Sequence, residues 1–453
     1  MQDACEVADS DRIFSGLINE IGQVAEGRVY GRVAAVLGML VEIAGIPLSL
    51  SVGDRCLISA RNDRSVLCEV IGFRDRRALV MPFQSLDGIG PGCKATILPS
   101  QSAIRPDASW LGRVIDAMGN PVDGKGALGE GPVACPLRAA PLPAHKRDMV
   151  GDKIDLGVRA VNTFVTCCRG QRMGIFAGSG VGKSVLLSML ARYTSADVNV
   201  IGLIGERGRE VKEFIHQSLG EEGLARSVII VATSDESPLM RRQAAQQTLA
   251  VAEYFRDQGK DVLCMIDSIT RFAMAQREIG LSAGEPPASK GYTPTVFSEL
   301  PKLLERAGPG LEGSGTITGL FTVLVEGDDH DEPVADAVRS IIDGHIVLER
   351  GIAERGRYPA INVLRSISRT MPGCNNEREN ALVLRARRLM SAYDDMEEMI
   401  RLGAYRPGSD PRTDEAIAYH ERLEEFLNQD KDEGTDIETG YEMLETILGG
   451  NER

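Results

Sequence analysis

Between residues 98 and 378, short apolar runs alternate with longer stretches in which apolar positions follow a helical spacing. Six of the apolar runs have the length of buried strands: RMGIFA, VNVIGLI, SVIIVA, DVLCMID, TITGLFTVLV and GHIVLE. The stretches between them, such as SPLMRRQAAQQTLAVAEYFRDQG, repeat apolar residues at three- and four-residue intervals, as on one face of a helix. Nearly continuous apolar strands joined by helices predict an α/β core with a mostly parallel sheet, covered on both faces.

Two regions with other patterns flank this core. Residues 23–97 hold short β-rich runs, such as GRVAAVLGMLVEIAG, between turns of Gly, Pro and Asp, and this pattern predicts a small N-terminal β-barrel. Residues 379–453 contain long amphipathic stretches without a strand-like run, so we expect a C-terminal helical domain. Within it, the acidic residues 430–438 are expected to form a solvated loop.

Residues 1–22 are predicted to form a tail that leads into a short helix, with Ser10 or Asp11 as its cap. One face of this helix is apolar and carries Ile13, Phe14, Leu17, Ile18 and Ile21. Such a stripe either docks onto the protein's own body or forms a partner-binding helix, and the pattern leaves both open.

Composition narrows the class of protein. The net charge is −14 and the pI is near 5.1, whereas nucleic-acid binders usually carry a basic face, so we expect no nucleic-acid partner. The nine cysteines are odd in number and lack a C-x-x-C spacing, which favours reduced thiols in a cytosolic protein. The sequence has no signal peptide and no apolar run of about 18 residues, so a cytoplasmic location is expected.

The strongest chemical signal is AGSGVGKS, which follows an apolar strand and precedes a helix. This is the setting of a phosphate-binding loop, in which glycines let backbone N–H groups surround phosphate oxygens at a positive helix end. Lys183 would reach the β- and γ-phosphates, and Ser184 would bind Mg²⁺. The residues predicted to surround ATP here are Ala177, Gly178, Ser179, Gly180, Val181, Gly182, Lys183, Ser184 and Val185. The sequence therefore predicts a P-loop ATPase domain over residues 98–378.

Two acids follow apolar strands. Asp267 ends DVLCMID and would hold Mg²⁺ through its water shell. The next residue is Ser268, so the carboxylate that polarises the attacking water must come from elsewhere. Glu206 ends VNVIGLIGE and is placed to orient a water molecule, with Glu210 as a weaker candidate. The alternative for Glu206 is a first-turn acid that the helix dipole favours.

The segment RGRYPAINVLRSISR carries two further candidates. Tyr358 is an aromatic residue beside a proline, and it either stacks on adenine or belongs to the core. Arg369 lies near the end of a strand-like stretch, where an arginine is most often a surface ion-pair partner.

Together and in this order, these segments resemble the catalytic heads of rotary ATP synthases and, more closely, the ATPases of type III protein export. The resemblance covers nearly the whole chain and is carried by LGRVIDAMGNPVDG, FAGSGVGKS, IGERGREV, SITRFAMAQREIGL, YPAINVLRSISR and GAYRPGSDPRTDEAI. GEPPASKGYTPTVFSELPKLLERAG looks specific to the export branch, and within that branch the chain resembles the flagellar ATPases. The acidic shaft-contacting segment of synthase β-subunits is missing where this chain reads MEEMIRLGAYRPGSD.

The resemblance implies a RecA-like core and a set of residue roles. Glu206 matches the catalytic glutamate, Arg207 follows it as in the family, and Arg271 matches an active-site arginine. Tyr358 matches the tyrosine that stacks on adenine. Arg369 matches an arginine finger that enters the neighbouring subunit's site. Since this chain also carries Lys183 and Glu206, a homo-hexamer would be sufficient to form complete sites between its subunits.

It also implies partners and a location. These are a regulator or stator protein bound through the N-terminal helix, membrane proteins of the export gate, and complexes of export substrates with chaperones, all at the inner membrane. Two other functions stay open: the ATPase of a virulence injectisome, and an RNA-translocating hexameric helicase. The net charge and the sparse barrel aromatics, Tyr30, Phe73 and Phe83, argue against the helicase.

Overall fold

The computed structural model describes residues 30–46, 49–61, 64–98, 103–325 and 332–449. The predicted tail helix within residues 1–22 therefore lies outside the described residues. The chain forms two compact units, Met1–Gln101 and Ser102–Arg453, each with its own core. The predicted limits of the four segments stay predictions.

The first unit is a closed antiparallel barrel. Its strands are β1 (Tyr30–Leu37), β2 (Leu40–Ala44), β3 (Arg55–Ser59), β4 (Ser65–Arg74), β5 (Arg77–Pro82) and β6 (Lys94–Ile97), in the order β1-β2-β5-β4-β3-β6. Pairing of β1 with β6 closes the barrel, with Gly31 opposite Ala95. Branched side chains such as Val41, Ile58 and Val80 alternate inward and are fully buried, which is why this region reads as short β-rich runs. The predicted barrel is confirmed.

The second unit is built on a nine-stranded sheet. A separate ribbon pairs β7 (Ala103–Ile104) with β9 (Cys135–Pro136). The sheet contains β8 (Arg113–Asp116), β10 (Arg172–Ala177), β11 (Val198–Glu206), β12 (Ser227–Thr233), β13 (Val262–Asp267), β14 (Gly308–Pro309), β15 (Thr316–Leu324), β16 (Gly344–Leu348) and β17 (Ile367–Ser368). Its order is β17-β16-β10-β15-β13-β11-β12-β8, with β14 beside β15, and only β14 and β17 run antiparallel to their neighbours.

Helices cover both faces of this sheet. They are α1 (Arg159–Phe164), α2 (Lys183–Tyr193), α3 (Gly208–Glu213), α4 (Gly220–Ala225), α5 (Pro238–Asp257), α6 (Ile269–Ala283), α7 (Pro294–Leu304), α8 (Pro333–Ile341) and α9 (Arg350–Glu354). Along β11, Val200 and Ile204 enter one core, whereas Ile201 and Leu203 enter the other. Burial on both faces explains the nearly continuous apolar strands and confirms the predicted α/β core.

Three helices end the described chain: α10 (Glu377–Arg401), α11 (Pro411–Leu427) and α12 (Ile437–Gly449). Asn376 and Glu379 form a capping box at the start of α10, and Asp410 caps α11. Phe426 of α11 meets Phe164 of α1 edge to face, with ring centroids 6.3 Å apart. The helical region therefore shares a hydrophobic core with one face of the sheet. The predicted C-terminal helices are confirmed. Among the described residues, no helix is long and apolar enough to cross a membrane.

Candidate functional site

The predicted phosphate loop connects the carboxyl end of β10 to the first turn of α2. Gly180 and Gly182 have φ values of 78° and 86°, a left-handed conformation that glycine adopts without a Cβ penalty. Gly182 is the N-cap of α2, so the free N–H groups of the first helical turn point toward this loop.

The loop forms one wall of a cavity of about 600 Å³, a volume in the usual range of small-molecule sites. It is lined by Ala177, Gly178, Ser179, Gly180, Gly182, Lys183, Ser184, Val185, Glu206, Arg207, Glu210, Arg271, Leu324, Val325 and Arg350. Of the predicted loop residues, only the fully buried Val181 does not line it.

Parallel topology brings the two predicted acids to this loop, because β10, β11 and β13 all end at the same edge of the sheet. Lys183 forms ion pairs with Asp267 and with Glu206, the second at 3.5 Å between Nζ and Oε1. Burial alone would lower the pKa of Lys183, but the two carboxylates outweigh it and raise that pKa above its ordinary value. Lys183 therefore stays charged in the cavity, as phosphate binding requires.

Glu206 is the acid whose titration the cavity changes most. Burial raises its pKa to about 7, the Asp267 charge and Glu210 add to the rise, and Lys183 opposes it. Gly205 (φ 69°) precedes it at a register shift between β11 and β12, which aims the end of β11 into the cavity. A carboxyl group with a pKa near neutrality is well suited to accept a proton or to orient water.

Asp267 is almost fully buried, and Thr322 of β15 donates a hydrogen bond of 2.7 Å to its Oδ1. The Ser184 side chain lies exposed to the cavity nearby. Hydroxyl and carboxylate oxygens are ligands that Mg²⁺ accepts while it keeps water and phosphate oxygens, so this donor set fits the ion. Sequence reasoning missed Thr322, because a threonine inside an apolar strand carries no local signal.

Arg271 extends from the first turn of α6 toward the end of β11. A Cβ atom on Gly205 would lie 2.8 Å from Arg271 Cβ, so the two segments touch directly. Its Nε is buried and has no hydrogen-bond partner among the described residues. A buried guanidinium group with an unmatched donor at a phosphate-type cavity fits an anionic ligand.

Tyr358 lies against the loop, since a Cβ atom on Gly182 would be 3.4 Å from its ring. The ring is 44% exposed, which leaves a face for a base to stack on. Arg207 lines the cavity but has a strongly exposed side chain that pairs with Glu210 at 3.3 Å. Arg350, which sequence reasoning also missed, follows β16 and donates from Nη2 to the Ser179 carbonyl at 3.4 Å.

Arg369 lies away from the cavity, at the other edge of the sheet. Its N–H donates to the Asp343 carbonyl at 2.9 Å, and Asp343 in turn donates its N–H to Arg172, the first residue of β10. A strand advances about 3.3 Å per residue, so the two ends of this six-residue strand are roughly 16 Å apart. Arg369 therefore lies at the strand-start edge of the sheet, opposite the phosphate loop of its own chain.

Three family models match successive parts of the chain. The ATP synthase alpha/beta family matches through its beta-barrel domain at residues 28–98 and its nucleotide-binding domain at residues 157–368. The T3SS EscN ATPase C-terminal domain matches residues 376–446.

Full-length relatives are similar over nearly their whole length. The chain is 59% identical to a flagellum-specific ATP synthase of Caulobacter vibrioides over 95% of this chain and 98% of the relative. It is 46% identical to a type 3 secretion system ATPase of Xanthomonas euvesicatoria over 97% and 99%. Among solved structures, the assembled ATPase EscN of the enteropathogenic E. coli type III secretion system matches with a TM-score of 0.86 at 39% identity, covering 92% of this chain and all of that one. The chain is thus an ATPase that belongs to the family of flagellum-specific ATP synthases and type III secretion ATPases.

Proposed function

We propose that this chain hydrolyses Mg-ATP to energise the delivery and unfolding of substrates in flagellar type III protein export. The observation that carries the proposal is the distribution of charged groups over the two edges of the sheet. Lys183, Glu206, Asp267 and Arg271 converge at the strand-end edge, whereas Arg369 lies at the strand-start edge. One copy thus holds an incomplete site, together with the arginine that would complete the site of another copy.

The residues of one copy divide the chemistry between them. Lys183 and the loop N–H groups bind the β- and γ-phosphates, and Arg271 adds charge toward the γ-phosphate. Ser184, together with Asp267 through a water shell, would hold Mg²⁺, which would supply positive charge to the phosphates when bound. Ionised Glu206 accepts a hydrogen bond from the attacking water and orients it in line with the γ-phosphate. Tyr358 stacks on the adenine.

A ring of identical copies would bring the two edges together. A head-to-tail interface that closes on itself sets the strand-start edge of one copy against the strand-end edge of the next. In a homo-hexamer, Arg369 then acts as a finger in the neighbouring site, where such a residue contributes about 10³–10⁵ in rate. The EscN relative is described as an assembled ATPase, which supports an assembly of several copies.

Exposed apolar side chains at the strand-start edge favour the same interface. Met149, Val150 and Leu311 are 84%, 40% and 45% exposed and form what we call the edge patch. Asp148 donates its N–H to the Gly310 carbonyl at 2.9 Å, so the two segments of the patch are neighbours. The patch lies where β10 and β15 begin, on the same sheet edge as Arg369. Contiguous exposed apolar groups are typical of contact surfaces.

The proposed setting is the cytoplasmic face of the inner membrane. A solved EscN relative is described in complex with its central stalk EscO, which supports a stalk partner for this chain. A regulator bound by the N-terminal helix, the export gate proteins and the chaperone–substrate complexes complete the proposed partners. The injectisome is the second candidate, favoured by the similarity to the Xanthomonas euvesicatoria relative and to EscN. Restored swimming of a strain that lacks its flagellar ATPase, without restored effector secretion in an injectisome mutant, would decide for the flagellar system.

Mixing two inactive variants tests the shared site. Glu206→Gln removes the water-orienting group, and Arg369→Ala removes the finger, so each protein alone should hydrolyse ATP at less than about a thousandth of the wild-type rate. In an equimolar mixture, about a quarter of the head-to-tail interfaces pair an intact Glu206 with an intact Arg369, and activity should return in proportion. The control is a mixture of Glu206→Gln with Lys183→Ala. Both substitutions lie on the phosphate-loop side, so every interface carries one of them, and no activity should return. No recovery in the first mixture would contradict the shared site.

A further inference from the structure

The C-terminal strap, residues 426–435, runs from the end of α11 along the start of α1 and reaches Tyr358. Asn428 Oδ1 accepts a hydrogen bond from the Tyr358 N–H at 3.1 Å. The next residue, Gln429, donates its own N–H to the Tyr358 carbonyl at 2.8 Å. Both backbone polar groups of Tyr358 are thus bound by two consecutive residues of the helical region.

The strap is itself fixed on the α1 segment. Gln429 is 3% exposed; its Oε1 accepts from the Arg159 N–H, and its Nε2 donates to the Gly157 and Glu433 carbonyls, each at 2.8 Å. Every polar atom of this buried amide is therefore used in holding the strap, and buried groups satisfied in this way are costly to displace.

Arg159 anchors the strap further and is 5% exposed. Its Nε donates to the Phe426 carbonyl at 2.9 Å and its Nη2 to the Asn428 carbonyl at 2.7 Å, while Nη1 pairs with Glu433. A buried guanidinium group is stable only when its donors are matched, and here each matched donor contacts the strap. Asn428 therefore meets Tyr358 from a backbone that is fixed on both sides.

We infer that Asn428 and Gln429 are positioning residues for the Tyr358 ring, and that they set the affinity of the site for the adenine base. The inference rests on the proposed adenine-stacking role of Tyr358. The ring packs against Gly182 of the phosphate loop on one side and is exposed on the other, so neighbouring side chains restrain it little. Its place above the loop depends on its backbone, which the strap fixes. Neither residue reaches the phosphate cavity, so their effect falls on base binding and not on the chemical step.

Asn428 offers the cleaner test, because its side chain is exposed and can be changed without opening the core. Asn428→Ala removes the acceptor for the Tyr358 N–H, whereas Asn428→Asp keeps an acceptor oxygen in the same place. Loss of one hydrogen bond of this kind corresponds to about a two- to tenfold change in an equilibrium constant. We expect Asn428→Ala to raise KM for ATP by that factor with a much smaller change in kcat, and Asn428→Asp to restore KM.

The base supplies the second readout. Cytosine presents a smaller ring than adenine, so KM for CTP should rise less than KM for ATP in Asn428→Ala, and the ratio of the two values should fall. A purely structural role for Asn428 would lower Tm and leave that ratio at the wild-type value, which would overturn the inference.

Tyr358→Ala separates this inference from the proposed function. If Tyr358→Ala leaves KM for ATP unchanged, the adenine role is wrong and the inference falls with it. If Tyr358→Ala raises KM but Asn428→Ala does not, the adenine role stands and only the positioning by the strap is refuted. An increase in both variants, with rescue by Asn428→Asp, supports the inference.

Discussion

Lys183 Nζ lies 3.5 Å from Glu206 Oε1, yet the ammonium does not hold the carboxyl group at an ordinary pKa. Burial and the neighbouring Asp267 charge outweigh it, and the pKa of Glu206 rises to about 7. In the proposed mechanism the ionised carboxylate orients the attacking water, because it is a stronger hydrogen-bond acceptor and base than the protonated carboxyl group. The site is therefore about half-titrated at neutral pH, and modest changes in its surroundings will change its activity.

The first prediction is an acid limb in the pH profile of kcat/KM, which reports the free enzyme. A raised pKa leaves Glu206 protonated and inactive below about pH 7, so kcat/KM should rise between about pH 6 and pH 8. Glu210 is one of the groups that raise this pKa, so Glu210→Gln should move the limb to lower pH while activity is retained. An inactive Glu210→Gln would identify Glu210 as the catalytic carboxylate, and an unmoved limb would show that the limb belongs to another group.

The second prediction concerns the hydrogen bond from Thr322 to Asp267. Thr322→Val keeps the side-chain shape but removes the hydroxyl group that orients the carboxylate. Loss of such a supporting contact usually costs about 10- to 100-fold in metal affinity or activity, so the Mg²⁺ concentration for half-maximal hydrolysis should rise by about that factor. Thr318→Val is the matched control, because Thr318 is equally buried on the same face of β15. Its hydroxyl oxygen accepts a hydrogen bond from the Gly170 N–H, at the strand-start edge and away from the metal site. Equal behaviour of the two variants would show that the hydroxyl does not act on the metal site.

Sequence patterns correctly predicted which acidic residues lie beside the phosphate loop, because the order of the parallel strands determines where their ends meet. Glu206 and Asp267 each end a buried parallel strand, and such strands end at one edge of the sheet, beside the phosphate loop. The roles of Arg271, Tyr358 and Arg369 came from family resemblance, because an isolated arginine or tyrosine has no local pattern that marks its chemistry. Thr322, Arg350 and Asn428 were missed, since each reaches the site through a strand order or a strap that only the folded chain defines.

The third prediction concerns the contact between Gly205 and Arg271. An alanine at either Gly205 or Gly259 must adopt a positive φ, 69° or 78°, which costs about 1–2 kcal/mol of stability. At Gly205 the added Cβ would also meet Arg271 Cβ and Cγ at 2.8 and 2.9 Å, whereas at Gly259 nothing lies within 4 Å. Gly205→Ala should therefore lose at least about tenfold in kcat/KM, because Arg271 lines the cavity and its displacement by a fraction of an ångström would disturb its contacts there. Gly259→Ala should lose stability alone, as followed by urea unfolding. Full activity in Gly205→Ala would mean that the position of Arg271 is not critical.

The fourth prediction tests the edge patch as the contact between copies. Met149 is 84% exposed in one copy, and its burial in a ring would contribute about 1.5–3 kcal/mol, so Met149→Glu should weaken assembly. We expect the protein concentration for half-maximal specific activity to rise at least about tenfold, with full activity regained at high concentration, because no group of the site is changed. Val122→Glu is the control: Val122 is 56% exposed and hydrogen-bonded to Val114 of β8, at the far end of the sheet from Arg369. Sedimentation of both variants alongside the hydrolysis assay separates lost assembly from lost chemistry. If Met149→Glu assembles like Val122→Glu, the edge patch is not the contact between copies. If Met149→Glu assembles poorly and yet keeps full activity at low protein concentration, Arg369 is not needed as a finger for hydrolysis.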